Sequence, residues 1–203
     1  MKKIVTMLLV GSLALTGCDL FGSDDDGTAS TDSGVEASFG SVSQDTIFNI
    51  SGEFQGAFDL VAGERKSASE GDGKKDLIDN GELEDGTFSD DFSAQFTTGN
   101  MSAFVELDLA SGASESDILE AVQAAATNDA VSFSTETLVA GDRIAVVSGQ
   151  TSMDNSDDFY LVTIVEVVSD ADSQLGETPA KNEGFIVFDY QLVDVDESTT
   201  SAQ

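Results

Sequence analysis

The chain has 203 residues, with 39 Asp and Glu against eight Lys and Arg, no His, and a formal charge of −31. Such a charge opposes binding to nucleic acid and to anionic lipid headgroups. With no His and a single Cys, a Ser-His-Asp triad, a Cys-His pair and the usual zinc site are excluded by inventory.

Residues 1–17 read as a secretory signal: a basic start (Lys2, Lys3), an apolar run from Ile4 to Leu15 broken by Thr6, Gly11 and Ser12, and a small-residue exit. The run is shorter than the roughly 20 residues of a membrane-spanning helix, and no later segment approaches that length. Leu15-Thr16-Gly17-Cys18 resembles the lipobox of bacterial lipoprotein precursors. The resemblance covers residues 1–18 and implies that signal peptidase II frees Cys18, which carries acyl chains on its sulfur and amine. Several acyl chains, at about 0.8 kcal/mol per buried CH₂, make a stable bilayer anchor. The expected location is the bacterial cell envelope, with the domain outside the cytoplasm. Asp19 resembles an inner-membrane retention signal of enteric-type bacteria, whereas Ser23-Asp24-Asp25-Asp26 resembles a surface-export signal of Bacteroidota, so the choice of membrane stays open.

Removing the leader leaves 186 residues with six basic side chains against 39 acids, a formal charge of −33. That length suits one domain and a tether. The acid excess suits concentrated salt, where screening relieves self-repulsion. A composition of 40% apolar residues, thirteen of them Phe, calls for a packed core rather than a solvated coil. With Cys18 lipidated there is no disulfide to help. Residues 18–34 read as an acidic flexible tether, 35–195 as a single β-rich domain and 196–203 as a disordered tail.

In chain order, Thr46 to Ile50 is a short β-prone run, and Glu53 to Val61 puts Phe54, Gly56, Phe58 and Leu60 on one face. Residues 63–91, rich in Gly, Asp, Glu, Ser and Lys, read as a long loop anchored by Leu77 and Ile78. Phe92, Ala94 and Phe96 alternate, Gly99-Asn100 reads as a hairpin turn, and Val105, Leu107 and Leu109 line the next strand, which predicts an antiparallel pair. Ser114 is an N-cap with Asp117 three residues on. It opens a helix over about 115–127 whose stripe is Ile118, Leu119, Val122 and Ala126.

Arg143 to Ser148 and Phe159 to Val168 are apolar on both faces, as central strands are. Phe185 to Val195 sets Ile186, Phe188, Tyr190 and Leu192 against Asp189 and Gln191. These three predict an antiparallel meander. The expected fold is α+β and predominantly β: an antiparallel sheet, sandwich or open barrel of about seven strands with one covering helix. The meander is similar in pattern to the closing sheet of small bacterial surface lipoproteins, some of them haem scavengers. With no His, it has no counterpart to an imidazole haem ligand.

Two acidic loops offer oxygen ligands to a hard cation such as Ca²⁺: Asp72, Asp76, Asp79 and Asn80 in one, Asp154, Asn155, Asp157 and Asp158 in the other. Neither fits an EF-hand, since Ile78 stands at the third position counted from Asp76, and solvated turns are the simpler account. Four of the six mature cations (Arg65, Lys66, Lys74, Lys75) share one region, either balancing local charge or facing a partner. The remaining catalytic routes are a Ser-Lys dyad, for which no Ser-x-x-Lys spacing is present, and a carboxylate-based carbohydrate-active enzyme in a chain without Trp. The leading expectation is a non-catalytic binding or scaffolding domain on a lipid anchor. Its partner would be an envelope protein or ligand, with no nucleic acid and no cofactor beyond the possible Ca²⁺. A calcium-dependent binding module using 72–80 and 154–158 is the alternative.

Overall fold

The computed structural model describes residues 37–49, 55–67, 69–79, 92–110, 112–126, 131–149, 158–173 and 183–195. Its strands are β1 (Ala37–Phe39), β2 (Ser43–Phe48), β3 (Ala57–Asp59), β4 (Glu64–Lys66), β5 (Leu77–Asp79), β6 (Phe96–Thr97), β7 (Ala103–Glu106), β8 (Arg143–Val147), β9 (Asp158–Val168) and β10 (Phe185–Val195). A 3₁₀ turn occupies Asp72–Lys74, and α1 spans Glu115–Ala126. Among the described residues no helix is long and apolar enough to cross a membrane.

The meander of β8, β9 and β10 forms as the sequence predicts, fully antiparallel. Its strands are apolar on alternate positions of both faces, so each face needs its own cover. One face carries Ile144, Val146, Tyr160, Val162, Ile164, Ile186 and Phe188 into a core shared with Phe58, Leu60, Leu77 and Phe96 from a second sheet. The other carries Ala145, Val147, Phe159, Leu161 and Val193 against α1 through Val122 and Ala125. The result is three layers: helix, a six-stranded sheet, and a four-stranded sheet of order β4-β3-β5-β6. The six-stranded sheet runs β1-β10-β9-β8-β7, with β2 also on the outer edge of β10.

The class is the β-rich α+β fold expected, built as a sandwich. The additional strands are short. The segment expected to be a loop over 63–91 contains β4 and β5, three residues each. Three residues are too few to display a period, and their buried side chains include Lys66 and Asp79, which binary patterning assigns to water. The predicted pairing across Gly99-Asn100 is also corrected. β6 pairs with β5 and β7 pairs with β8, so the turn carries the chain from one sheet to the other. Met101 there is left-handed at φ 65°. Gly99 sits so close to the Asp72 carbonyl that an added Cβ would lie 3.1 Å from it.

Aromatic packing centres the sandwich. Phe58 stands edge-on to Phe188 at 5.2 Å and to Tyr190 at 5.1 Å, and Phe96 edge-on to Phe188 at 6.0 Å. Such geometry adds to the area buried. Leu192, on the same side of β10, reaches the end of the sandwich and is 38% exposed. Residues 131–138 form a strap over the free edges of both sheets. The amide and carbonyl of Ser132 bond Phe104, Thr135 N donates to Phe96 O, and Leu138 N donates to Ala94 O.

The helix begins as its sequence dictates. Ser114 N donates to Asp117 Oδ2 at 2.8 Å and Asp117 N donates to Ser114 Oγ at 3.2 Å, a reciprocal cap. The hydrogen bonds from the Ser114 hydroxyl and amide hold the Asp117 carboxyl below its ordinary 3.8. A depressed carboxyl stabilises the fold above its unfolded pKa and ceases to do so as pH falls through the folded value. Asp117→Asn therefore lowers the unfolding temperature at about pH 6 and has no effect at about pH 2, measured by thermal melts of the two chains side by side.

Gly184, just before β10, is fixed by contact. Its amide and that of Phe92 both donate to the Asp170 carboxylate. A Cβ there would run into the Phe92 ring and come within 2.8 Å of the Val168 carbonyl. Gly184→Ala should destabilise the chain by about 1–3 kcal/mol, read from urea midpoints at unchanged slope.

Candidate functional site

The register of the six-stranded sheet sets one polar row across four strands on its outer face. Arg143 lies opposite Thr163, Thr163 opposite Asp189, and Asp189 opposite Gln44. One row nearer the helix stand Ala145, Leu161 and Gln191, where the apolar cover begins. The first turns of α1 bring Ile118 over this boundary, and the connection from β1 to β2 brings Val42. Together with Arg143, Leu161, Thr163, Asp189 and Gln191 they line a crevice of about 160 Å³. Leu161 supplies a buried apolar floor. Gln44 Nε2 donates to Asp189 Oδ1 at 2.8 Å, which orients the carboxylate and leaves Oδ2 with no protein donor among the described residues.

Charge distinguishes this crevice from the rest of the surface. Arg65 Nε holds Asp45 at 2.9 Å, Lys66 Nζ holds Glu64 at 2.9 Å, and Lys75 Nζ holds Asp72 at 3.0 Å. Lys74 is exposed. Arg143 is half-buried and has no carboxylate within ion-pair distance among the described residues. In a chain with 39 acids, a half-buried guanidinium that no described carboxylate pairs keeps its five donors for something else.

A groove of about 480 Å³ lies along the strap, bounded by Phe104, Glu106, Ser132, Thr135 and Glu136. It is larger, and several of its polar groups bond within the strap. Ser132 Oγ donates to Ser134 O, Thr135 Oγ1 donates to Glu136 O, and Glu106 accepts from Glu136 N.

Of the acidic positions singled out by sequence, Asp72 and Asp76 have partners within the domain. Asp72 is exposed and ion-paired to the buried Lys75. Asp76 is buried, and its carboxylate accepts from Asn100 Nδ2 at 2.7 Å, Ser102 Oγ at 2.8 Å and Leu60 N at 2.8 Å. Ser102 Oγ in turn accepts from Gly149 N at 3.0 Å, and Thr98 Oγ1 bonds both Asn100 and the Ser102 amide. This network fixes the crossing turn from β6 to β7 against the second sheet and holds Met101 in its unfavourable conformation. Asp79 is buried on β5. Among the described residues no group of three or more His, Cys, Asp or Glu side chains is placed to hold a metal. Asn80, Asp154, Asn155, Asp157 and Cys18 lie outside the described residues, and Asp158 opens β9 opposite Asp194.

In the cation-rich region three of the four cations are tied within the domain. On Lys66 the hydrogen bond to Glu64, reinforced by the charges of Glu64, Glu70 and Asp59, outweighs burial and holds the ammonium above its ordinary 10.5. Sequence reasoning passed over Arg143, Thr163 and Asp189 because each looks ordinary in its own strand. The available signal was a basic residue opening an otherwise apolar run, with polar residues on its neighbours at in-register positions.

Compared with protein-family models, curated proteins and solved structures, the chain has no match.

Asp76→Ala would remove the acceptor of three donors at once, Leu60 N, Asn100 Nδ2 and Ser102 Oγ. It should cost about 3 kcal/mol or more, read as a lowered urea midpoint. Ser102→Ala, which removes one donor along with its acceptor role, should cost less.

Proposed function

We propose that this chain is a lipid-anchored protein of a bacterial envelope whose sandwich domain binds a ligand or partner outside the cytoplasm and catalyses no reaction. The observation that carries the reading is Leu15-Thr16-Gly17-Cys18 directly after a basic start and a twelve-residue apolar run. Three features support a binding role over catalysis. The chain has no His and its lone Cys is the acylation site. The crevice on the outer sheet face joins a cation, a carboxylate and an apolar floor with no nucleophile–base pair. The crevice also lies on rigid strands, where a binding constellation keeps its geometry.

Calcium binding by the acidic loops has less support. Asp72 is engaged by Lys75, and Asp76 already accepts three hydrogen bonds. The anchor is tested by Cys18→Ser, which should move the protein from the membrane pellet to the soluble fraction. Continued sedimentation with membranes would overturn the assignment.

A further inference from the structure

We infer that the crevice between α1 and the row Arg143–Thr163–Asp189 is a binding site for a small zwitterion, its carboxylate on Arg143 and its ammonium on Asp189. The inference rests on the binding role proposed above and gives that role a ligand class.

Three observations converge on this class. The first is size: about 160 Å³ corresponds to roughly five waters at their liquid volume and falls below the 300–1,000 Å³ of pockets for drug-sized ligands. The second is chemistry at the two ends. Arg143 brings a fork of donors with no carboxylate within ion-pair distance among the described residues. Asp189 brings one oxygen oriented by Gln44 and a second without a protein donor among the described residues. They sit on one face in one register row, two strand spacings apart, or roughly 9.5 Å between backbones. A molecule carrying both charges can lie between them along the row, over Thr163, with its apolar part on Leu161, Ile118 and Val42.

The third observation is the field of the whole chain. At a mature formal charge of −33, a simple anion is repelled on approach even though a guanidinium awaits it. A cation is attracted everywhere and gains little specificity here. A zwitterion carries no net charge, so it escapes the repulsion and feels only the local pair, which lies within about one Debye length at physiological salt. Selection of two opposite charges at a fixed spacing is thus the task that this site performs better than the rest of the surface.

The test is calorimetric titration of the full chain at about 0.15 M salt with L-leucine, 4-methylpentanoate, which lacks its amine, and 3-methylbutylamine, which lacks its carboxylate. L-leucine should bind with Kd below about 1 mM, and each analogue at least about tenfold more weakly. Arg143→Gln should weaken L-leucine by about tenfold or more, and Asp189→Asn should do the same while leaving 4-methylpentanoate unimpaired. Binding of 4-methylpentanoate as tight as that of L-leucine would overturn the proposal. So would the absence of binding by glycine, L-alanine and L-leucine up to about 10 mM. The analogue comparison uses the unaltered chain, so it decides even if a variant fails to fold. Membrane fractionation of Cys18→Ser is read separately, and Arg143→Gln should sediment with membranes as the parent chain does.

Discussion

Both faces of β8 from Ile144 to Val147 and of β9 from Phe159 to Val162 are withdrawn from water, and the remaining architecture follows from that constraint. In β8, Ile144 and Val146 enter the sandwich while Ala145 and Val147 enter the layer beneath α1. A sheet apolar on both sides cannot stand with one side wet. The short second sheet and the helix are the two covers, and neither is large enough to be stable alone. The chain's lone Cys leaves no disulfide to share the task. Packing must therefore also outweigh the repulsion among the acids.

The division of labour among polar groups follows from the same constraint. Beside the apolar core that the two sheets share, specific polar contacts attach the second sheet to the first. Arg65 reaches across to Asp45, and Asp76 gathers the crossing turn, the Leu60 amide and, through Ser102, the turn after β8. Acids in such positions act as acceptors that organise backbone and leave little for a metal. On the outer face, the helix covers only part of the sheet. Where the cover ends, the row Arg143–Thr163–Asp189–Gln44 is the first that water and solutes reach.

What was legible in the sequence was what repeats. β10 shows its full alternation over eleven residues, and Ser114 with Asp117 announces the helix start, so both were placed at their observed positions. β4 and β5 were not legible, because three residues carry no period and Lys66, Asp76 and Asp79 are buried against their usual preference. Strand order was legible in the meander of β8, β9 and β10, whose strands are strongly apolar, and failed at Gly99-Asn100, which looks like a hairpin and acts as a crossover. The candidate site stayed hidden for a different reason. It is made by lateral register, and one chain read from end to end does not show which residues of β8, β9, β10 and β2 stand side by side.

The strap over residues 131–138 has a consequence for association. By pairing with Phe104 on one sheet and with Phe96 and Ala94 on the other, it consumes the amides and carbonyls that two neighbouring strand ends would otherwise present. Exposed ends of that kind recruit strands from other molecules. That side of the domain is closed to strand exchange, and neighbouring molecules meet there as side chains and charge.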